Sequence, residues 1–239
     1  SESDGVCMSV GLRDLSSVLS IDTDRHLTKF NPIPAPRTAS DIPHIPNPGI
    51  LEVQMTTPDI SDVTNAIRTS YGLPLLTEIP DNGWPVVILQ HGITSKKEDM
   101  LGLTGILSVF GYATAAIDHP LHGSRGFDLN NDGIDDINAS TVSATHYMNL
   151  ASLLTTRDNL RQSSSDTLGL RLSLNAVVGA DINGADVSFI GHSLGSMTGI
   201  NTLALANTEL TEGEDASDAL DTLFAIKLGS LVTPGVGIA

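Results

Sequence analysis

The chain has 239 residues, 12 Lys+Arg against 28 Asp+Glu for a formal charge of −16, and 40% hydrophobic but only 4% aromatic residues. A surface this negative, with no Lys/Arg run, repels phosphate backbones and anionic membranes and argues against nucleic-acid binding. Cys7 is the only cysteine, so no internal disulfide and no cysteine-based zinc or iron–sulfur site can form, and the length suits one α/β domain or two small ones.

The opening SESDGVCMSV has neither a positively charged start nor a long apolar stretch, so no uncleaved signal peptide or membrane span is read there. Residues 1–85 hold ten of the twelve prolines, in runs such as NPIPAPR (31–37) and IPHIPNPG (42–49). Proline removes backbone donors and disfavours helix at the preceding residue, so extended, wrapping chain is expected. Within it, ILEVQMTTP (50–58) alternates Leu51, Val53 and Met55, the spacing of a half-buried antiparallel strand. SDVTNAIRTSYG (61–72) predicts a short helix capped by Ser61 or Asp62 and stopped by Gly72. Residues 1–83 thus read as a proline-rich extension with antiparallel strands packing on a core that occupies 84–239.

From Trp84 the pattern changes. PVVILQHG (85–92), YATAAIDHP (112–120), VSFIGHS (187–193) and LFAIKLGSLV (223–232) are short apolar runs separated by helix-like segments. Runs apolar on both faces and alternating with helices indicate a mostly parallel sheet covered on both sides. KEDMLGLTGILSVFG (97–111) places Met100, Leu103, Leu107 and Phe110 at helical spacing, with Gly111 as C-cap. HYMNLASLLTTRDNLRQ (146–162) carries Leu150, Leu153, Leu154 and Leu160 on a helical stripe. Leu168, Leu170, Leu172 and Leu174 alternate with period two, but a strand there would need an insertion into the parallel order, so helix is expected.

The sharpest motif is Gly191-His192-Ser193-Leu194-Gly195. Five letters alone are weak, but VSFI enters as a buried strand and SMTGINTLALAN leaves as a helix, the strand–turn–helix setting in which a serine projects above a sheet. Side chains at 191 and 195 would collide with the neighbouring strand and helix, hence the glycines. A helix starting at the serine aims N–H groups at an oxyanion formed there. Upstream, His91-Gly92-Ile93 follows the strand PVVILQ, so the oxyanion donors are expected to be the N–H groups of Ile93 and Leu194. His91, Gly92, Gly191, His192 and Gly195 flank the site.

VVILQHGIT (86–94), AAIDHPLHGSRG (115–126), HYMNLASLLTTRDNLRQ (146–162) and FIGHSLGSMTG (189–199) together resemble the bacterial virulence-factor, extracellular-lipase group of the α/β-hydrolase superfamily. FNPIPAPRTASDIP (30–43) resembles the segment that precedes the core in that group. The resemblance implies the α/β-hydrolase fold and an exported, secreted or surface-attached lipase or esterase acting by a serine mechanism, with no cofactor needed for catalysis. Its partners would be a small-molecule or lipid ester and, transiently, a lipid surface.

In this fold the triad runs Ser, then Asp or Glu, then His along the chain. The seven histidines are His26, His44, His91, His119, His122, His146 and His192, and none follows Ser193. Asp215, Asp218 and Asp221 follow it, but EGEDASDALD reads as an exposed acidic helix start. The expectation is a hydrolase cut before its last strands, with the acid and the histidine beyond residue 239 and the chain as it stands nearly inactive, since losing the histidine costs on the order of 10⁶ in turnover. His192 is expected to pack locally rather than act as base. A thioesterase or acyltransferase of the same fold, or a non-catalytic hydrolase-fold binding module, is the alternative.

Residues 122–145 form an inserted Asp-rich loop with room for a lid or acyl-binding cap. In it Asp128, Asn130, Asp132, Gly133, Ile134 and Asp136 follow the order D-x-N-x-D-G-x-x-D, which resembles the ligand order of EF-hand-like loops. The twelfth position is Ala139 instead of glutamate, so Asp135 or Asp136 would have to substitute around a structural calcium. The competing expectation is a solvated turn rich in Asp and Asn. His119 and His122 have a spacing that suits a metal, but no third ligand is evident nearby.

Overall fold

Where both faces of a strand are to be covered, both must be apolar, and Val86–Leu89 meet that condition without a polar interruption. The structure is a computed structural model that describes residues 51–209 and 221–235. The proline runs at 31–37 and 42–49, His26, His44, Asp215 and Asp218 lie outside the described residues. Five strands form one sheet: β1 (Gln54–Thr56), β2 (Trp84–Gln90), β3 (Ala113–Ala116), β4 (Ile182–His192) and β5 (Gly229–Val232). Their order is β1-β3-β2-β4-β5; β1 runs antiparallel to β3 and every other pair is parallel.

The two faces of β2 feed two cores. Trp84, Val86 and Ile88 pack with Phe189, Leu168 and Leu174 on one side, while Val87 and Leu89 pack with Met100 and Ala116 on the other. Of the helices α1 (Asp62–Ser70), α2 (Leu101–Val109), α3 (Leu153–Ser173) and α4 (Leu194–Ala206), α3 and α4 cover the first face. The second is covered by α2 and the 3-10 turn Lys97–Met100 before it. The result is a mostly parallel sheet with helices on both faces, the layering expected from the apolar runs. The chain order reverses about β2, with β3 on one side and β4 on the other, and such a switch opens a crevice at the carboxyl ends of the two diverging strands.

Local signals hold where they rest on caps. Ser61 accepts from the Thr64 N–H at the start of α1, and Gly72 and Gly111 have φ of +69° and +85° just past α1 and α2. Four expectations are corrected. The apolar run 223–232 is not one strand: 221–224 is helical, Phe224 and Ile226 fill the core, and pairing begins only at Gly229. The helix at 146–162 begins at Leu153, after a 3-10 turn at Ala144–His146, and continues through Leu168–Ser173. Three of the four leucines of the expected stripe also face outward, with Leu150, Leu153 and Leu154 exposed by 74%, 58% and 64%, while Leu160 packs inward. Thr156, Asn159, Ser163 and Thr167, at the same helical spacing, are buried instead. Likewise Leu51 and Met55 pack on the core beside β1, but Val53 is exposed.

Candidate active site

Ser193 ends the turn between β4 and α4 with φ 53° and ψ −113°. Those angles belong to the first central residue of a type II′ turn, a position glycine normally takes. The surroundings hold the serine there. Its N–H donates to the Val232 carbonyl of β5 at 2.9 Å, and the Ser196 hydroxyl sits 2.6 Å from the Gly191 carbonyl and 2.8 Å from that of Val232. A Cβ at Gly191 would strike the Gly195 carbonyl, and one at Gly195 would strike the Gln90 carbonyl. Both glycines are therefore the condition for the turn to nest between β2 and α4. Leu194 is the first residue of α4, so its N–H has no acceptor within the helix and points out of the N-terminus.

The loop leaving β2 meets this turn directly. Gly92 lies so near that a Cβ on it would stand 3.2 Å from the Ser193 Cβ and 3.3 Å from the His192 carbonyl. His91, Gly92, Ile93, Gly191, His192, Ser193, Leu194 and Gly195 thus converge at one corner of the sheet. Ile93 and Leu194 share an apolar cluster with Ala139, Tyr147, Met148 and Leu160. Part of the 122–145 loop is therefore tucked beneath the corner through Ala139. The His192 ring is exposed.

Beneath the loop lies a polar layer in which His91, His119 and His122, each noted from the sequence, meet one another and Tyr147, which the sequence reading did not foresee. His91, His119, His122 and Tyr147 are fully or almost fully buried, with the three imidazoles 4.7, 5.2 and 5.8 Å apart. His119 contacts Ser163 Oγ at 2.9 Å through Nδ1 and the His91 carbonyl at 3.0 Å through Nε2. The Tyr147 hydroxyl lies 2.7 Å from Ser163 Oγ. Asn159 donates to the Tyr147 carbonyl, and Thr167 reaches Gln90 Oε1 at 3.2 Å. Burial, which disfavours a charged ring, lowers the pKa of His91 and His119 and brings that of His122 down to about 4. The one sequence signal for this layer was Asn159, Ser163 and Thr167 at four-residue intervals on one helix.

Beside it, Asp118 is buried and accepts from the Lys97 ammonium at 2.9 Å, the Lys97 N–H at 2.7 Å and the Ser124 N–H and hydroxyl at 3.0 Å each. Burial alone would raise its carboxyl, but these donors outweigh that and hold it below the usual range. Among the described residues no side chain is hydrogen-bonded to the Ser193 hydroxyl. His91, His119 and His122 each have both ring nitrogens engaged within the layer, so the metal spacing of His119 and His122 is not used for a metal.

The calcium expectation at 128–136 finds no support. The Asp128 carboxylate accepts from the N–H groups of Asp132 and Gly133, Asn130 accepts from Asp132 N–H, Asp132 from Ile134 N–H and Asp136 from Leu129 N–H. Those side chains close a turn, with Asn131 and Gly133 at φ +61° and +87°. Among the described residues no three His, Cys, Asp or Glu side chains form a group able to hold a metal.

No family model and no curated protein matches the sequence. Solved structures to which the chain is similar include Est1E from Butyrivibrio proteoclasticus with ferulic acid bound, at 15% identity over 65% of this chain and 43% of that one, TM-score 0.37. A thermostable carboxyl esterase from Bacillus coagulans matches at 13% identity over 64% and 35%, TM-score 0.35. A lipase in its open form matches at 18% identity over 67% and 36%, also with TM-score 0.35. The chain spans less than half the length of each of these three structures.

Proposed function

We propose that Ser193 is the nucleophile of a carboxylic-ester hydrolase of the lipase or esterase type, with the N–H groups of Ile93 and Leu194 as oxyanion donors. The observation that carries this reading is a serine at φ 53° between β4 and α4, with the Gly92 loop in van der Waals range of its Cβ. A strained, tightly packed turn is a costly way to build a mere connection, and strain of this kind collects at functional sites. A histidine base would take the Ser193 proton while the alkoxide attacks the ester carbonyl, and the two N–H groups would hold the charge on the carbonyl oxygen. Loss of the alcohol leaves the acyl-enzyme, which water resolves with the same base assisting.

The base of this reading is not one of the buried rings His91, His119 and His122. The three buried histidines are engaged, and no histidine of the 239 follows Ser193. Apolar side chains of Ile93, Met148 and Leu160 beside Leu194 suit an acyl chain. Export, and membership of the virulence-factor lipase group, rest on the sequence resemblance at 86–94, 115–126, 146–162 and 189–199. The test is treatment of this chain and of the full-length gene product with a fluorophosphonate, the adduct being located by mass spectrometry. Modification of Ser193 in the full-length product, abolished by Ser193→Ala, is expected; a full-length product left unmodified would withdraw the hydrolase assignment.

A further inference from the structure

We propose that His91 and His122 are positioning residues for the oxyanion donor, clamping the two peptides on either side of Ile93, with His119 bracing His91 from behind. The inference rests on the reading of Ser193 as nucleophile, and it assigns work to a buried layer which that reading leaves unused.

The geometry follows peptide by peptide. His91 Nδ1 lies 2.8 Å from the Gly92 carbonyl. A carbonyl only accepts, so Nδ1 carries the proton. The Gly92–Ile93 peptide is planar and trans, which points the Ile93 N–H opposite to that carbonyl. Fixing the carbonyl against His91 therefore fixes the direction of the donor. On the other side of Ile93, the Thr94 N–H donates to His122 Nε2 at 3.4 Å, while His122 Nδ1–H donates to the Pro120 carbonyl at 2.9 Å. Thr94 has φ +64°, an unfavourable conformation for a β-branched residue, and the imidazole is the acceptor that holds it there.

His91 is in turn pinned at both ends. Its Nε2 accepts the His119 N–H at 3.0 Å, and its carbonyl accepts His119 Nε2–H at 3.0 Å. His119 Nδ1 must then accept, so the Ser163 hydroxyl donates to it at 2.9 Å and the Tyr147 hydroxyl donates to Ser163 Oγ at 2.7 Å. Every ring in the layer uses one N–H and one lone pair, and a charged ring would lack the lone pair on which the arrangement depends. Asp118 faces His91 at 3.5 Å, and Arg125, Lys97, Glu98, Asp99 and the buried Asp166 of α3, paired with Arg125 at 2.7 Å, are further charged groups of the elements packed around the layer. Burial offsets the pull of these carboxylates and keeps the rings neutral.

The experiment follows Ser193 modification by a fluorophosphonate in the full-length gene product, separating the maximal rate from the half-saturating reagent concentration. His91→Leu and His122→Leu are expected to slow the maximal rate by about 10- to 100-fold, the effect of a misplaced oxyanion donor, with little change in half-saturation. His91→Asn puts an amide N–H near the place of Nδ1, and His122→Gln puts an amide oxygen near the place of Nε2, so both are expected to recover most of the lost rate. Leucine variants as fast as wild type, or Asn and Gln variants as slow as the leucines, would overturn the clamp while leaving the nucleophile standing. A wild type in which Ser193 never reacts overturns the nucleophile itself, and the clamp with it. Should the leucine variants not fold, ¹⁵N imidazole spectra of the wild type decide. Nδ1–H tautomers at His91 and His122 with an Nε2–H tautomer at His119 are expected, and a charged ring or the opposite tautomer at either clamp position refutes it.

Discussion

Replacing Ser193 by glycine is expected to stabilise the protein, because the native φ of 53° with ψ of −113° is strained for any residue with a Cβ. Strain of this kind costs about 1–3 kcal/mol. Glycine also adds freedom to the unfolded chain, which takes back about 0.4–1 kcal/mol. The net gain is on the order of 1–2 kcal/mol, or roughly 2–8 °C in melting temperature for a domain of this size. The control is Ser193→Ala, which removes the hydroxyl and keeps the strain. Among the described residues no side chain bonds that hydroxyl, so alanine should melt close to wild type. Thermal unfolding by circular dichroism of the three proteins at pH 7.5 separates the effects. A glycine variant that melts at or below the alanine variant would refute strain at the elbow and, with it, the physical reason for calling this serine special.

Gly195→Ala should cost about 2–3 kcal/mol, because its Cβ lands on the Gln90 carbonyl and neither β2 nor α4 can retreat; urea midpoints measure it, and a loss below half a kcal/mol would contradict the packing. Lys97→Met leaves the Asp118 carboxylate, 1% exposed, without its cation and should cost about 3–5 kcal/mol, whereas adding Asp118→Asn should return part of the loss; a double variant no more stable than Lys97→Met would show that the stranded carboxylate is not the source of the loss. Acidification from pH 7 to 4 should weaken the fold by about 3 kcal/mol through His122 alone, since the unfolded ring takes a proton near 6.5 and the folded one only near 4. His91 and His119 act with the same sign, Asp118 adds its loss only at still lower pH, and a flat urea midpoint over that range would refute the neutral layer.

Elements fixed by local chemistry were legible. Ser61 as cap, Gly72 and Gly111 as stops, and the uninterrupted apolar run of β2 each follow from rules that need only near neighbours. The corner of the sheet was legible too, because Gly191, Gly195 and Gly92 are required by contacts that every such turn makes. The face of α3 was not. Leu150, Leu153 and Leu154 mark a stripe that an amphipathic rule sends inward, yet the inward stripe is Thr156, Asn159, Ser163 and Thr167. Polarity is a guide to burial only while the interior is apolar, and here the interior opposite that part of the helix is made of imidazoles and a phenol. Within α3 only the polar stripe Asn159, Ser163 and Thr167 hints at them, since His91, His119, His122 and Tyr147 come from three other segments.

The same helix shows what the buried layer costs and what it holds. Towards its C-terminus α3 turns Leu168 and Leu170 into the main core, joined by Leu174 just past its end, where packing alone is needed. Towards its N-terminus it turns Asn159, Ser163 and Thr167 onto Tyr147, His119 and Gln90, where each polar atom must find a partner or cost a few kcal/mol. An apolar layer of the same shape would be safer for stability, so its polarity calls for another cause. Its hydrogen bonds lead to the carbonyls of His91 and Gly92 and the N–H of Thr94, the backbone that carries Ile93 past Ser193. Directional bonds can aim a peptide, and dispersion contacts cannot. The cost is thus borne at the one place in the sheet where the direction of an N–H matters more than the number of contacts around it.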